Sequence, residues 1–163
     1  MSAPRELLEI RRWIAFFIIA LVLSGVTAFP LVNELRMLGD WFRVDAPGVE
    51  NGSLQWWLRT VRDGLVETNV RYPWLAYGTD WLAFAHIVIG VFFIGPYRDP
   101  VRNVWIIQSG LIACAGVLIL AFTAGPIRGI PIYWQLIDCS FGVFGALPLW
   151  RVLALTKRLE SQS

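Results

Sequence analysis

The chain has 163 residues, 56% of them apolar and 16% charged, with a mean hydropathy of +0.57. That composition lies outside the soluble range and inside the membrane class, and the length suits a single compact domain. The formal charge of +2 is small and the fourteen basic residues are scattered, which argues against a stripe that tracks nucleic-acid phosphates.

Taken in chain order, the first apolar segment is residues 13–29, preceded by Arg5, Arg11 and Arg12. It has nearly the length needed to cross about 30 Å of hydrocarbon as a helix. Those arginines, the apolar run and the small residues from Ser24 to Ala28 also imitate a secretory signal cleaved after Ala28. Pro30 follows closely and favours a retained span.

Residues 30–78 are too long for a turn and too regular for disorder. Within 53–70 the apolar residues Leu54, Trp57, Leu58, Val61 and Leu65 recur at helical spacing, and Ser53 is a suitable N-cap. Residues 31–42 repeat the pattern more weakly, and Pro47, Gly48, Asn51 and Gly52 mark a loop between the two. Such amphipathic helices lie on a membrane surface or cap a bundle, and they also suit a lid or a docking surface for another protein. Asn51-Gly52-Ser53 is a formal glycosylation sequon, meaningful only in a eukaryotic host.

Three further spans are expected at residues 79–95, 101–124 and 130–150. The turns between them echo one another. Gly95-Pro96-Tyr97-Arg98-Asp99-Pro100 and Gly125-Pro126-Ile127-Arg128-Gly129-Ile130-Pro131 each set Gly-Pro at a helix end and a second proline where the next helix starts. Tight hairpin turns account for this, and a trace of duplicated halves is the sharper reading.

Four spans place both termini on one side of the membrane. Eight basic residues fall in the N-terminus, the turn after the second span and the C-terminus, against six on the opposite side spread over a longer stretch with more acids. The positive-inside rule therefore expects cytoplasmic termini. Tryptophan gives a second indication: Trp13, Trp105 and Trp150 fall at expected cytoplasmic ends, and Trp74, Trp81 and Trp134 at expected outer ends. The expected fold is all-α, an antiparallel four-helix transmembrane bundle with amphipathic helices in the long outer loop.

The last span carries Gln135, Asp138 and Cys139 inside its apolar run, and a carboxyl there needs a partner, a proton or a water path. His86 and Asp138 each lie seven residues into their spans, about 10 Å below the outer boundary, so the two can meet. Ala83, His86 and Gly90 share one face, and Gln135, Asp138, Gly142 and Gly145 share another, with small residues suited to close helix approach. Nearer the rim, Asp80 and Arg128 form a candidate outer ion pair. Ser109, Ala113 and Gly116 suggest a further small-residue stripe on the third span.

Cys114 and Cys139 lie in apolar runs, outside any metal-ligand or redox spacing. One histidine cannot supply both axial ligands of a haem in a monomer, nor a conventional metal cluster. No catalytic residue, cofactor or metal is expected from the residues themselves.

The stretch Tyr77-Gly78-Thr79-Asp80-Trp81-Leu82-Ala83-Phe84-Ala85-His86, the Gly-Pro turns, and Tyr133-Trp134-Gln135-Leu136-Ile137-Asp138-Cys139-Ser140-Phe141-Gly142 resemble a group of small bacterial inner-membrane proteins. The resemblance spans the last three helices and implies membrane location, but no activity, cofactor or catalytic residue.

Three functional classes follow. One is a non-catalytic structural or accessory subunit that packs with a protein partner or with copies of itself in the lipid bilayer. The second is a small transporter or proton-coupled permeation unit using His86 and Asp138. The third is an intramembrane enzyme acting on lipid or quinone, lowered by the lack of a recognisable nucleophile and base. Mass spectrometry of the native protein is expected to find the first span retained; a mature N-terminus at Phe29 would leave three spans and reverse the placement of the N-terminus.

Overall fold

The computed structural model describes residues 3–161. It is helical throughout, with no strand among the described residues: α1 (Ala3–Ala28), α2 (Leu31–Trp41), α3 (Leu54–Arg71), a 3-10 turn at Pro73–Leu75, α4 (Ala76–Phe92), α5 (Ile94–Arg98), α6 (Val104–Ile127) and α7 (Ile132–Glu160). Three helical stretches, Pro73–Arg98, Val104–Ile127 and Ile132–Glu160, are long and apolar enough to cross a membrane. A fourth arises if Arg5–Ala28 and Leu31–Trp41, which meet at a bend of 89°, are taken together.

The chain divides into two compact units, Met1–Val22 with Val88–Ser163, and Leu23–Ile87. In the first, seven side chains form a dry core: Ile10 and Ile14 of α1, Phe93, Ile107 of α6, and Leu149, Val152 and Leu155 of α7. Their spacing explains the contact. Ile10 and Ile14 are one turn apart, as are Leu149, Val152 and Leu155 within rounding, so each helix offers a single apolar stripe. This core uses residues beyond Trp150, where the sequence reading ended the last span. At 29 residues, α7 is about 43 Å long, longer than the roughly 30 Å of hydrocarbon in a bilayer.

Above this core, α6 and α7 approach so closely that a side chain at Gly142 would strike backbone, and one at Gly110 or Gly145 would crowd neighbouring side chains. A Cβ on Gly142 would stand 2.7 Å from the Cys114 carbonyl oxygen and 2.9 Å from Leu118 Cδ1. A Cβ on Gly110 would meet the Leu149 side chain at 2.7 Å and the Phe93 ring at 2.8 Å, and one on Gly145 would lie 3.1 Å from Cys114 Sγ. Without a hydrophobic drive between helices in lipid, such close backbone approach is what supplies dispersion contact. The stripe expected at Ser109, Ala113 and Gly116 is displaced by this register: Ala113 is exposed and nothing lies within 4 Å of a Cβ on Gly116.

The Gly-Pro pairs do not stop their helices as expected. Gly95 and Pro96 lie inside α5, and Gly125 and Pro126 lie inside α6. What ends α6 is Gly129, at φ +68°. The Ile130 N–H donates to the Gly125 carbonyl at 3.0 Å and the Gly129 N–H to the Pro126 carbonyl at 3.1 Å, the paired bonds of a Schellman cap. Proline is tolerated one turn earlier because it removes a single N–H while the cap secures the carbonyls.

In the second unit α2 packs on α3 through Leu35, Gly39, Val44 and Leu58, all buried. Ser53 caps α3, its hydroxyl oxygen accepting from the Trp56 N–H at 3.1 Å. The end of α2 repeats the Schellman pattern, with Val44 N–H to the Gly39 carbonyl at 3.0 Å and Arg43 N–H to the Asp40 carbonyl at 3.2 Å. Here the left-handed position is Arg43, at φ 50°, which costs a non-glycine residue about 1–2 kcal/mol.

The glycine register of α6 and α7 gives a direct test. Gly142→Ala is expected to destabilise the protein by about 1–3 kcal/mol through overpacking, while Gly116→Ala is expected to leave stability nearly unchanged; reversible unfolding in mixed detergent micelles measures both.

Candidate functional site

The polar residues inside the apolar helices were the candidates, and each is described within its own unit. His86 is half-buried on α4 and its Nδ1 lies 2.8 Å from the Leu82 carbonyl oxygen. A carbonyl can only accept, so Nδ1 carries a proton in this bond. The same turn of α4 is pressed against α1: a Cβ on Gly25 would stand 2.8 Å from both the Ala83 carbonyl oxygen and His86 Cβ. Ala83 is completely buried there. The face of α4 carrying Ala83 and His86 thus serves a helix crossing with α1 at Gly25.

Gln135 is 3% exposed and turned back toward the α6–α7 connection. Its Nε2 donates to the Ile130 carbonyl at 2.7 Å, and its amide covers Gly125, where a Cβ would come within 2.6 Å of the Gln135 Cδ. Gly125 is therefore a seat for this amide rather than a helix stop. The Gln135 Oε1 is buried with no hydrogen-bond partner among the described residues. Thr123 donates to the Ile119 carbonyl at 2.7 Å, Ser140 to the Ile137 carbonyl at 2.6 Å and Thr156 to the Val152 carbonyl at 2.9 Å. These hydroxyls bond one turn back along their own helices, the usual resort in a medium without water.

Asp138 is half-buried on α7, one turn from both Gln135 and Gly142, and makes no hydrogen bond or ion pair with the described residues of its own unit. Asp80 is half-buried on α4, and Arg128 is exposed at the C-cap of α6. Cys114 and Cys139 are free thiols, half-buried and buried. No group of three metal-ligating side chains occurs among the described residues.

One buried polar group escaped the sequence reading. Glu6 is 3% exposed, and one of its carboxyl oxygens is buried with no hydrogen-bond partner among the described residues. It stands one turn before Ile10 on the core-facing stripe of α1. The signal was present as the i, i+4, i+8 series Glu6, Ile10, Ile14. A glutamate among arginines ordinarily sits on a solvated flank, and only the packing of α1 shows this one buried.

The α2–α3 pair presents a different kind of surface. Arg62 forks onto Asp45 through Nη1–Oδ2 and Nη2–Oδ1, both 2.7 Å, and its Nε donates to Asp63 Oδ1 at 2.8 Å. Its side chain is only 14% exposed while Asp45 is 65% exposed. Gly39 makes this possible, since a Cβ there would stand 3.1 Å from the Arg62 Nη1. The guanidinium holds the Asp45 carboxyl below its ordinary range, and the two carboxylates push Arg62 upward. In the same unit Met37 and Trp41 of α2 and Trp74 of the 3-10 turn are largely exposed.

Comparison with protein-family models, with curated proteins and with solved structures found no match to the chain.

The clamp has a pH signature. Asp45 has a lowered pKa in the folded state, so its contribution is complete above the ordinary aspartate value of 3.8 and is lost as pH falls through the lowered one. Hydrogen exchange at the Val44 amide is expected to accelerate as pH drops below about 4, beyond the intrinsic rate change. In Asp45→Asn that extra acceleration is expected to vanish, with the amide less protected than in wild type above about pH 4 and alike once Asp45 is protonated.

Proposed function

We propose that the protein is a non-catalytic accessory subunit of a membrane assembly. It crosses the bacterial inner membrane as an antiparallel four-helix bundle with cytoplasmic termini and carries the α2–α3 pair on the outer face as its docking surface. One observation carries the reading. The polar side chains within the apolar helices hand their hydrogen bonds to carbonyls of their own helix or adjoining turn, as His86 does to Leu82 and Gln135 to Ile130. Groups spent in this way set helix register and turn geometry. The partner is another membrane protein or a second copy of this chain, meeting a surface braced by Arg62 and edged by Trp41 and Trp74.

Asp138 supports a second reading. It is a half-buried carboxyl without a partner among the described residues of its unit, which suits a proton-coupled permeation unit that uses Asp138 and His86.

Two measurements separate the readings. In liposomes with an imposed pH gradient, wild type and Asp138→Asn are both expected to relax at the rate of protein-free vesicles. Fast relaxation in wild type that Asp138→Asn abolishes would establish transport instead. In blue-native electrophoresis from mild detergent the chain is expected to migrate as a larger assembly, and Arg62→Gln, which breaks the clamp outside the spans, to return it to the protomer position.

A further inference from the structure

Two cavities open side by side in the unit Leu23–Ile87, where the chain turns from α1 into α2 and α4 begins. The first has a volume of about 360 Å³ and is mixed in character. Its polar wall holds Asn33 and Arg36 of α2, Asn69 of α3 and Asp80 of α4, and its apolar wall includes Leu31 and Leu65. The second, about 270 Å³, is lined by Phe29, Tyr77, Trp81 and Phe84 together with Asp80. Phe29 and Asp80 belong to both, so a polar chamber continues into an aromatic groove.

The chemistry of the walls narrows the ligand. The first volume lies in the range of small-molecule sites. The lining brings a guanidinium, a planar fork suited to phosphate, at Arg36 and two side-chain amides, Asn33 and Asn69, whose N–H groups can donate to phosphate oxygens. Asp80 offers a carboxylate to a cation in a cavity that Trp81 and Phe84 also line, and aromatic rings add a further attraction for positive charge. Arg36 and Asp80 sum to zero, so a molecule carrying one phosphate and one ammonium leaves neither charge opposed. A singly anionic molecule would set Asp80 against like charge. Within residues 23–87 none of Asn33, Arg36, Asn69 or Asp80 makes an ion pair or a side-chain hydrogen bond, in contrast to Arg62, Asp45 and Asp63 nearby. Tyr77 and Trp81, which line the second cavity, are also largely exposed, the residue types that settle at headgroup depth.

We propose that these joined cavities bind one aminophospholipid. Its phosphate sits at Arg36 with the amides of Asn33 and Asn69, its ammonium at Asp80, and the first part of an acyl chain runs along Phe29, Trp81 and Phe84. The site reads the headgroup by charge pairing and the lipid by its chain, so the free headgroup lacks half of the contacts. It stands independently of the accessory role.

The test is native mass spectrometry of the full chain, delipidated in mild detergent and titrated with dioleoyl-phosphatidylethanolamine, dioleoyl-phosphatidylglycerol and soluble glycerophosphoethanolamine. One phosphatidylethanolamine is expected per protomer, at least tenfold tighter than phosphatidylglycerol, with no binding of glycerophosphoethanolamine at the same concentration. Arg36→Gln is expected to weaken phosphatidylethanolamine at least tenfold and Arg36→Lys less, while Asp80→Asn removes the preference between the two lipids. If Asp80→Asn loses its helical circular dichroism, Phe84→Ala takes its place and is expected to weaken both lipids. Equal binding of both lipids by wild type, variants that bind as wild type does, or glycerophosphoethanolamine binding as tightly as the lipid would each overturn the assignment.

Discussion

A helix in hydrocarbon must satisfy its backbone from within, because there is no water to take the place of a missing partner. Two such helices can then be held together only by shape and by whatever polar groups their own carbonyls leave free. In this chain the constraint is met by glycine. Gly142 lets α7 close onto the backbone of α6 at a distance a Cβ would not permit, Gly110 and Gly145 ease the same crossing, and Gly125 makes room for the Gln135 amide at the turn between them. Dispersion contact over these surfaces replaces the hydrophobic drive that would act in water.

The same constraint explains the behaviour of the polar side chains. A hydroxyl or imidazole within an apolar helix has a carbonyl of its own helix within reach, and Thr123, Ser140 and His86 each take that option. Outside the apolar helices the solution changes. The α2–α3 pair is held by a charged fork from Arg62, where water screens the charges and lowers the desolvation cost. The two regimes meet where α1 turns into α2, and the joined cavities there have one polar and one aromatic part.

Much of the helical layout was legible along the chain. The spacing of Leu54, Leu58 and Leu65 and the cap at Ser53 place α3, and the first apolar run, read as ending at Phe29, stops within a residue of the end of α1. The helix ends were less legible. Gly-Pro reads as a stop, yet α6 continues through Gly125 and Pro126 because a second glycine four residues later can take the left-handed conformation and complete the cap. For the candidate site, Gln135 is a turn clamp and His86 bonds to its own helix. Neither role shows in composition, since both depend on which carbonyl lies nearest. Glu6 was passed over for a related reason: its charge suggested solvent, and only the packing of α1 shows it on the buried stripe.

The sequence by itself determined that the chain is helical, that three or four segments are long and apolar enough to cross a membrane, and where an amphipathic pair interrupts them. Those properties are local, written in runs of apolar residues and in a period that a single helix displays. Only the tertiary structure decided which face of each apolar helix meets its neighbour. A helix apolar on every side, as α6 is, carries no moment to orient it. Its contact row of Gly110, Cys114 and Leu118, rather than Ser109, Ala113 and Gly116, was selected by the shape of the helix packed against it.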